Sequence, residues 1–317
     1  MKNSLIASLA LFVAMPAHAL VGGTVDANLA SSPWAGVGAV KVNGGTYSGA
    51  LIGNQYVLTA AHVVGGATPG QVQFVLNAGG APSQTLAAES IHVFSGYQGT
   101  TSGADGVWHD DLALVKLAAP VAAGVPVYDL YNGPLLGKTV SLVGYGAGGD
   151  GVNGATIAQD DNLKRAGQNR IDLTLVDDDG GSQYEIFLFD FDGPDSTTNV
   201  FGANNNPQNL TLGAAVEAQY AGGDSGSPLF VNDNGTWKLA GIAAFNASVT
   251  GLPGSNVKFG AVGGGSIVAP YATWIQATIA VSVSAPVPEP ETWLMLLAGL
   301  GLVGVARVGK SRADAKI

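Results

Sequence analysis

The chain has 317 residues, 47 of them glycine, and a formal net charge of −10. This length is sufficient for one large domain or two small ones with a sizeable core, and an acidic chain repels nucleic acid and anionic membrane surfaces, so we expect no nucleic-acid partner. Cysteine is absent, which excludes a cysteine nucleophile and thiolate metal sites.

The N-terminus has the pattern of an export signal. Lys2 supplies a basic start, residues 5–13 are apolar, and Ala17-His18-Ala19 forms a small-x-small cleavage site. A buried first helix is the alternative, but the short apolar core and the cleavage site disfavour it. We therefore predict that residues 1–19 are a signal peptide, that signal peptidase removes it, and that the protein is exported.

The central part of the chain has the pattern of an all-β protein. Short runs rich in Val, Ile, Leu and Tyr alternate with Gly, Asn and Asp turns. Only residues 270–281 have helical character, because a proline suits the first turn and the apolar residues after it can share one face. The predicted strands are residues 37–42, 55–60, 71–76, 112–117, 140–143, 171–176, 185–189 and 239–244.

Three short segments of this region carry a base, acids and a nucleophile, in that order. They are residues 58–62, 109–117 and 223–228. In the last segment, Ser225 stands between two glycines that allow a sharp turn, so its hydroxyl can project and backbone N–H groups can converge on one point. A serine hydroxyl becomes a good nucleophile when a base takes its proton and an acid orients that base.

The three segments contain T-A-A-H, D-L-A-L and G-D-S-G-S-P, and together they resemble the motifs of trypsin/chymotrypsin-like serine proteases. Weaker matches at residues 49–52, 143–146 and 271–275 extend the resemblance over most of residues 20–281. The resemblance implies two antiparallel six-stranded β-barrels with a C-terminal helix and the active site between the barrels. It also implies a serine endopeptidase that hydrolyses protein or peptide substrates through an acyl-enzyme.

The resemblance assigns the nucleophile, the base and the oxyanion hole. Ser225 matches the family's nucleophile, and His62 matches its general base. The backbone N–H groups of Gly223 and Ser225 match its oxyanion hole, which stabilises the charge that develops on the substrate carbonyl.

Two neighbouring acids compete for the role of orienting the base. The family places this acid directly before the L-A-L run, which selects Asp111 and leaves Asp110 as a solvated neighbour. His109 adjoins both acids and is the competing base. We expect His109 to be a surface residue that precedes a strand.

The start of the mature chain suggests an activation mechanism. Cleavage after Ala19 exposes L-V-G-G at Leu20, which resembles the I-V-G-G start of active family members. The resemblance implies that the α-amino group of Leu20 pairs with Asp224, whose carboxylate is costly to bury without a partner. No segment separates the signal from this start, so we expect signal peptidase itself to generate the active N-terminus.

The specificity pocket departs from the trypsin pattern. Gln219 stands where trypsin-like members hold an acid, and Ala244-Phe245-Asn246 stands where the family has Ser-Trp-Gly. Gly263 matches a glycine of the pocket wall. Because none of these residues is charged, we expect a preference for small or uncharged side chains over Arg and Lys.

An acidic, loop-rich segment covers residues 177–206 and includes Asp177-Asp178-Asp179. Clustered carboxylates and Asn oxygens can bind calcium, although the spacing matches no complete EF-hand loop. The alternative is a pair of solvated turns on an inserted surface loop. We expect no other metal and no cofactor.

The C-terminus combines Pro288-Glu289-Pro290, an apolar run at residues 293–306 and a basic end. A run of about fourteen residues is short for a spanning helix, and its basic flank suits the cytoplasmic side. A short tail anchor is one interpretation. The order of the parts also resembles the PEP-CTERM sorting signal of Gram-negative bacteria, which implies recognition and removal by an exosortase.

The predicted organisation is therefore a signal peptide at residues 1–19, a protease domain at 20–281, and a linker with a sorting segment and short transmembrane helix at 282–317. We expect transient or stable anchoring in the inner membrane, followed by display at the cell surface or release. Two other functions remain open. One is a catalytically silent, protease-like binding module, and the other is a structural protein of the extracellular matrix.

Overall fold

The computed structural model describes residues 20–283, apart from residues 78–79, 81–82, 101–105, 203–210 and 250–252. The predicted signal peptide and the sorting segment lie outside these residues. Contacts divide the chain into two units, residues 1–275 and 276–317, and only residues 276–283 of the second unit are described. No helix within residues 20–283 is long and apolar enough to span a bilayer, and the predicted transmembrane helix falls outside that range.

The described residues are mostly β-strand, as predicted, and one α-helix is longer than a single turn. The first strands are β1 (Leu20–Val21), β2 (Thr24–Val25), β3 (Val37–Val42), β4 (Gly45–Gly53), β5 (Tyr56–Thr59), β6 (Val72–Leu76), β7 (Gln84–Val93) and β8 (Ala113–Leu117). The later strands are β9 (Thr139–Gly144), β10 (Gly148–Asp150), β11 (Gly154–Ile157), β12 (Arg165–Arg170), β13 (Leu173–Val176), β14 (Tyr184–Asp190), β15 (Pro228–Asp233), β16 (Thr236–Ser248) and β17 (Ala261–Ile267). The helices are α1 (Ala61–Val64) and α2 (Ala272–Val283), with short 3-10 turns at Pro69–Gln71, Ser196–Thr198, Ser255–Val257 and Ala269–Tyr271.

The N-terminal half closes into a six-stranded antiparallel barrel. The strand order is β3-β4-β5-β8-β7-β6, so β3 pairs with both β4 and β6 and closes the ring. Strand β5 has four buried residues and runs directly into α1, which begins at Ala61. His62, in α1, therefore follows directly after a strand that is buried in the first barrel.

The C-terminal half is built on an eight-stranded sheet with the order β13-β14-β17-β16-β15-β9-β12-β2. A separate three-stranded sheet joins β1, β10 and β11, and β1 runs parallel to β10. The structure thus has the predicted all-β class with a C-terminal helix, and it closes one of the two predicted six-stranded barrels. The predicted strands at residues 140–143, 171–176, 185–189 and 239–244 lie in the eight-stranded sheet.

The core of the C-terminal half is apolar and aromatic. Leu142, Phe187, Phe189 and Leu229 are buried in one cluster, and the rings of Phe187 and Phe189 stack with centroids 6.2 Å apart. Burying such side chains contributes roughly 1.5–3 kcal/mol each. This core supports the turn between Tyr220 and Pro228, which carries the G-D-S-G motif.

Each predicted strand overlaps an observed one. The prediction for residues 37–42 matches β3, whereas β16 is longer than the predicted residues 239–244. The predicted helix at residues 270–281 corresponds to α2, and its predicted first turn is the 3-10 turn Ala269–Tyr271. Pro270 lies in that turn, where its missing N–H removes no helical hydrogen bond.

Candidate active site

His62 and Asp111 are held together by two hydrogen bonds. The Oδ2 atom of Asp111 lies 2.6 Å from His62 Nδ1, and Asp111 Oδ1 accepts from the His62 backbone N–H at 2.8 Å. Asp111 is fully buried, while 16% of the His62 side chain is exposed. The acid therefore fixes both the ring and the first turn of α1, and the other ring nitrogen remains for a second partner.

Ser225 lies on a tight turn between the two halves of the chain. Its carbonyl oxygen accepts from the Ser48 backbone N–H at 2.9 Å, which ties the turn to β4 of the first barrel. Gly223 and Gly226 have φ angles of +91° and +78°, in the left-handed region that glycine adopts without strain. The glycines of G-D-S-G are thus required by the backbone conformation that presents the serine.

Asp224 points away from the solvent into the protein. Its Oδ1 accepts from the Gly146 N–H at 2.8 Å and its Oδ2 from the Ala221 N–H at 2.9 Å. Burial raises the pKa of Asp224 to about 7, although these hydrogen bonds and the positive charge of Arg165 act in the opposite direction. The Asp224 side chain therefore links the segment at Gly146 to the start of the turn that carries Ser225.

A pocket of about 220 Å³ is lined by six of the predicted site residues. Residues from both halves of the chain line it: His62, Trp108, Tyr220, Ala221, Gly222, Asp224, Ser225, Ala243, Ala244, Phe245 and Asn246. The predicted base, the predicted nucleophile and three predicted pocket residues thus share one concave surface. A nucleophile, an oriented base and a pocket beside them are the parts that acyl transfer needs.

A model of the trypsin family matches residues 21–186, slightly more than half of the chain. The chain belongs to the trypsin family. A second match, to the PEP-CTERM protein-sorting motif, covers residues 286–312. A comparison with the curated proteins found no match. His62 and Asp111 fall inside the trypsin match, whereas Ser225 lies beyond its end, so its position rests on the motif and the geometry described above.

Two residues predicted for the specificity pocket of this trypsin-family protein do not line the pocket around Ser225. The Gln219 carboxamide is buried, donates to the Ala261 carbonyl at 3.1 Å and accepts from the Tyr220 N–H at 2.8 Å. Gly263 lies against Gln219, and a Cβ added there would overlap the carboxamide oxygen. Both are buried and lie outside the pocket lining, and their assignment to the specificity pocket stays a prediction.

Leu20 is already inside the fold. It is fully buried, pairs with Gly148 in β10, and belongs to the same core cluster as Phe189. The next residue, Val21, accepts from the Gln219 N–H at 2.8 Å, close to the start of the turn that carries Ser225. In the full chain the Leu20 nitrogen is an amide bonded to Ala19, so its pairing with Asp224 stays a prediction for the cleaved form.

The predictions of a surface His109 and a solvated Asp110 were wrong. Both residues are 7% exposed, and the Tyr271 hydroxyl donates to Asp110 Oδ1 at 2.8 Å. Asp110 has φ +57°, a left-handed conformation that aspartate tolerates better than most residues. The chain therefore turns inward before β8, and Asp110 faces the start of α2 while Asp111 faces His62.

Sequence reasoning also missed two residues beside the candidate site. Trp108 lines the pocket, with its ring 5.8 Å from the His62 ring and 6.3 Å from the Phe245 ring. Gln159 lies so close to Gly223 that an added Cβ would overlap its carboxamide. Trp108 directly precedes the motif segment at residues 109–117, so its place in the sequence could have indicated a role at the site. Gln159 reaches the site from a loop that carries no motif, so nothing in the sequence marks it.

Proposed function

We propose that this trypsin-family protein is an exported serine endopeptidase. The observation that carries the proposal is the pair of hydrogen bonds from Asp111 to His62 beside a pocket that Ser225 also lines. Together with the family membership, this arrangement supports peptide-bond hydrolysis over simple binding.

The proposed reaction begins when His62 accepts the proton of the Ser225 hydroxyl as the oxygen attacks a peptide carbonyl. Asp111 holds the proton on Nδ1, so Nε2 is the atom that receives the serine proton, and the carboxylate stabilises the imidazolium that forms. The negative charge on the carbonyl oxygen is stabilised by the N–H groups of Gly223 and Ser225. Removing one such donor costs roughly 10²–10³ in kcat in studied enzymes.

His62 next protonates the leaving amine, and the acyl group remains on Ser225 as an ester. A water molecule then gives its proton to His62 and attacks the ester, which releases the acid and restores the serine. The substrate class is therefore a protein or peptide with an accessible extended segment.

The pocket supports a preference for an uncharged side chain before the scissile bond. Its walls include the aromatic rings of Trp108 and Phe245 and the methyl groups of Ala243 and Ala244. Its one acid, Asp224, is 1% exposed and is bonded to backbone N–H groups, so it is turned away from a ligand. An Arg or Lys side chain would lose its hydration in this pocket without gaining a countercharge.

Labelling with a fluorophosphonate probe tests the proposal. The mature protein should be labelled at Ser225, and Ser225→Ala should abolish labelling, while Ser227→Ala in the same motif should retain it. His62→Ala should lose nearly as much activity as Ser225→Ala, because the residues act as a unit. A folded protein that is not labelled, or that is labelled at another serine, would favour the silent binding module.

The sorting motif supports a second part of the proposal, which concerns delivery. Signal peptidase would cleave after Ala19, the apolar segment at residues 293–306 would hold the protein in the inner membrane, and an exosortase would then remove the tail. Replacing Pro288-Glu289-Pro290 by alanines should leave a larger, membrane-retained protein in a host that has the exosortase. An unchanged mass and location would contradict this route.

A further inference from the structure

A buried histidine and two carboxylates converge beside the active site, apart from the proposed catalytic residues. His109 Nδ1 lies 3.4 Å from Asp178 Oδ1 and 3.6 Å from Glu185 Oε2. One ligand atom from each of the three residues lies within 4.8 Å of the other two. His109 comes from the segment before β8, Asp178 from the turn after β13, and Glu185 from β14, so residues distant in sequence are brought to one point.

Glu185 places a buried carboxylate oxygen in the cluster, and its 3.6 Å contact with His109 Nδ1 is longer than a hydrogen bond. Its side chain is 10% exposed, and among the described residues its Oε2 atom has no hydrogen-bond partner. A buried carboxylate oxygen without a hydrogen bond is costly, so such an atom is expected to meet a ligand.

The charges around the cluster favour a cation. Asp177 and Asp179 flank Asp178 in the chain, and Asp110 follows His109, so further carboxylates lie in the segments that supply the ligands. Carboxylates crowded in this way repel one another, and a divalent ion among them would remove that repulsion.

The kinds of ligand atom indicate which cation fits. Zinc binds His nitrogen and carboxylate oxygen at about 2.0–2.2 Å in a tetrahedron, in which the ligand atoms are ~3.4 Å apart. The two separations from His109 Nδ1 are close to this value. Calcium and magnesium prefer oxygen atoms for all of their ligands. A histidine nitrogen among the three ligands therefore favours zinc or a transition metal.

We propose that His109, Asp178 and Glu185 form a zinc site, with water as the fourth ligand. Asp178 is 37% exposed on its side chain, so solvent and the ion reach the site from this direction. The site differs from the calcium site expected at residues 177–206, because its ligands include a histidine outside that segment.

The position of the site couples it to the pocket around Ser225. His109 follows Trp108, which lines the pocket, and precedes Asp110 and Asp111, which contact Tyr271 and His62. An ion held by β14 and the turn after β13 would therefore fix the segment that carries both Trp108 and Asp111. The site acts as a positioning element, because none of its three ligands lines the pocket around Ser225.

Isothermal titration calorimetry with zinc chloride tests the site directly. The mature protein carries Ser225→Ala to prevent self-digestion, is stripped with a chelator, and is titrated at neutral pH. We expect one zinc ion per chain and a rise in Tm of roughly 5–10 °C at a hundredfold excess over Kd. Calcium chloride should bind far more weakly.

Two adjacent aspartates provide a matched pair of variants. Asp178→Asn removes a ligand and should weaken zinc binding by roughly tenfold or more. Asp179→Asn removes the same charge one residue further along and should change the affinity by less than about threefold. Glu185→Gln should weaken zinc binding like Asp178→Asn, and near-UV circular dichroism should show that each variant is folded.

Three outcomes would overturn the proposal. The first is a folded wild-type protein that binds no zinc. The second is an equal loss of affinity in Asp178→Asn and Asp179→Asn, which would indicate diffuse attraction by the acidic turn. The third is tighter binding of calcium than of zinc. Because the readouts are binding and stability, they are independent of whether the protein hydrolyses peptides.

Discussion

Asp111 contacts His62 at two points, the ring Nδ1 at 2.6 Å and the backbone N–H at 2.8 Å. A bidentate contact fixes the direction of the imidazole as well as its distance from the acid. The carboxylate is fully buried, so the contact is protected from competing water. This pair therefore orients Nε2 before any substrate binds.

Replacing Asp111 by Asn should lower kcat by about 10⁴-fold, because an amide can leave the imidazole in the wrong tautomer. Asp110→Asn is the matched control. The amide introduced there would keep an oxygen for the Tyr271 hydroxyl, so we expect kcat within about tenfold of the wild type. Hydrolysis of a peptide substrate measures both values, and a larger loss for Asp110→Asn would overturn the assignment of Asp111.

The strands and the motif positions were predictable because they depend on local pattern. Strand β3 begins with an apolar run at residues 37–40, and the glycines around Ser225 mark a turn that needs positive φ. These signals are present in a few consecutive residues. They identified the all-β class, and the family motifs added His62, Ser225 and Ala244-Phe245-Asn246, which line the pocket.

The burial of His109 and Asp110 was not predictable in the same way. Asp110 becomes buried because Tyr271, 161 residues later in the chain, donates a hydrogen bond to it. His109 becomes buried against Asp178 and Glu185, which lie on a distant hairpin. From the local sequence alone, a run of polar residues is expected to be exposed to solvent. Contacts with residues far away in the chain are what bury His109 and Asp110.

Gly223→Ala should reduce kcat and should also lower the free energy of unfolding by about 1–3 kcal/mol. The residue has φ +91°, which alanine adopts only with strain, so the backbone N–H should turn away from the oxyanion. The overlapping group is the exposed Gln159 side chain, which can move. We expect a loss of roughly 10²-fold in kcat, comparable to the loss of one oxyanion donor.

The neighbouring Gly222→Ala is the control for this experiment. A Cβ added at Gly222 meets no atom within 4 Å, and the position is not among those with positive φ. Its kcat should stay close to that of the wild type. Equal activity in the two variants would show that the Gly223 N–H is not part of the oxyanion hole.

Stability should decrease as pH rises from about 4 to about 7, because buried acids keep their protons in the folded state. Burial, followed by the charge of Asp190, raises the pKa of Asp172. Burial raises the pKa of Asp192 to about 7, and the negative charges of Asp190 and Glu217 contribute to this shift. The unfolded chain releases these protons near pH 4, so the stabilising contribution is complete below about pH 4 and is lost as pH passes the folded-state values.

Urea unfolding of the Ser225→Ala protein at about pH 5 and about pH 8, on either side of the raised pKa of Asp192, measures this dependence. The midpoint should be higher at the lower pH, and Asp192→Asn should reduce the difference between the two values. The same substitution at Asp233, the half-exposed ion-pair partner of Lys238, should leave the difference unchanged. A higher midpoint at the higher pH would contradict the prediction.

Cleavage after Ala19 should activate the protein, and the backbone conformation of Leu20 is the reason. In the uncleaved chain Leu20 has φ +47°, a left-handed conformation that is strained for leucine. Its φ torsion exists only through the bond to Ala19, so cleavage removes the strain and creates a charged amine inside the fold. The buried Asp224 carboxylate has Arg165 as a positive neighbour, and the new amine would add a second.

We therefore predict that a form starting at Leu20 hydrolyses peptides much faster than a form that keeps a few residues before it. The activity of the Leu20 form should fall at high pH, because the amine must stay charged and its ordinary pKa is near 8. Asp224→Asn should have low activity in both forms. The measurement is the specific activity of the two purified forms, with their N-termini verified by mass spectrometry. Equal activities, together with a loss in Arg165→Gln, would show instead that Arg165 is the partner that Asp224 requires.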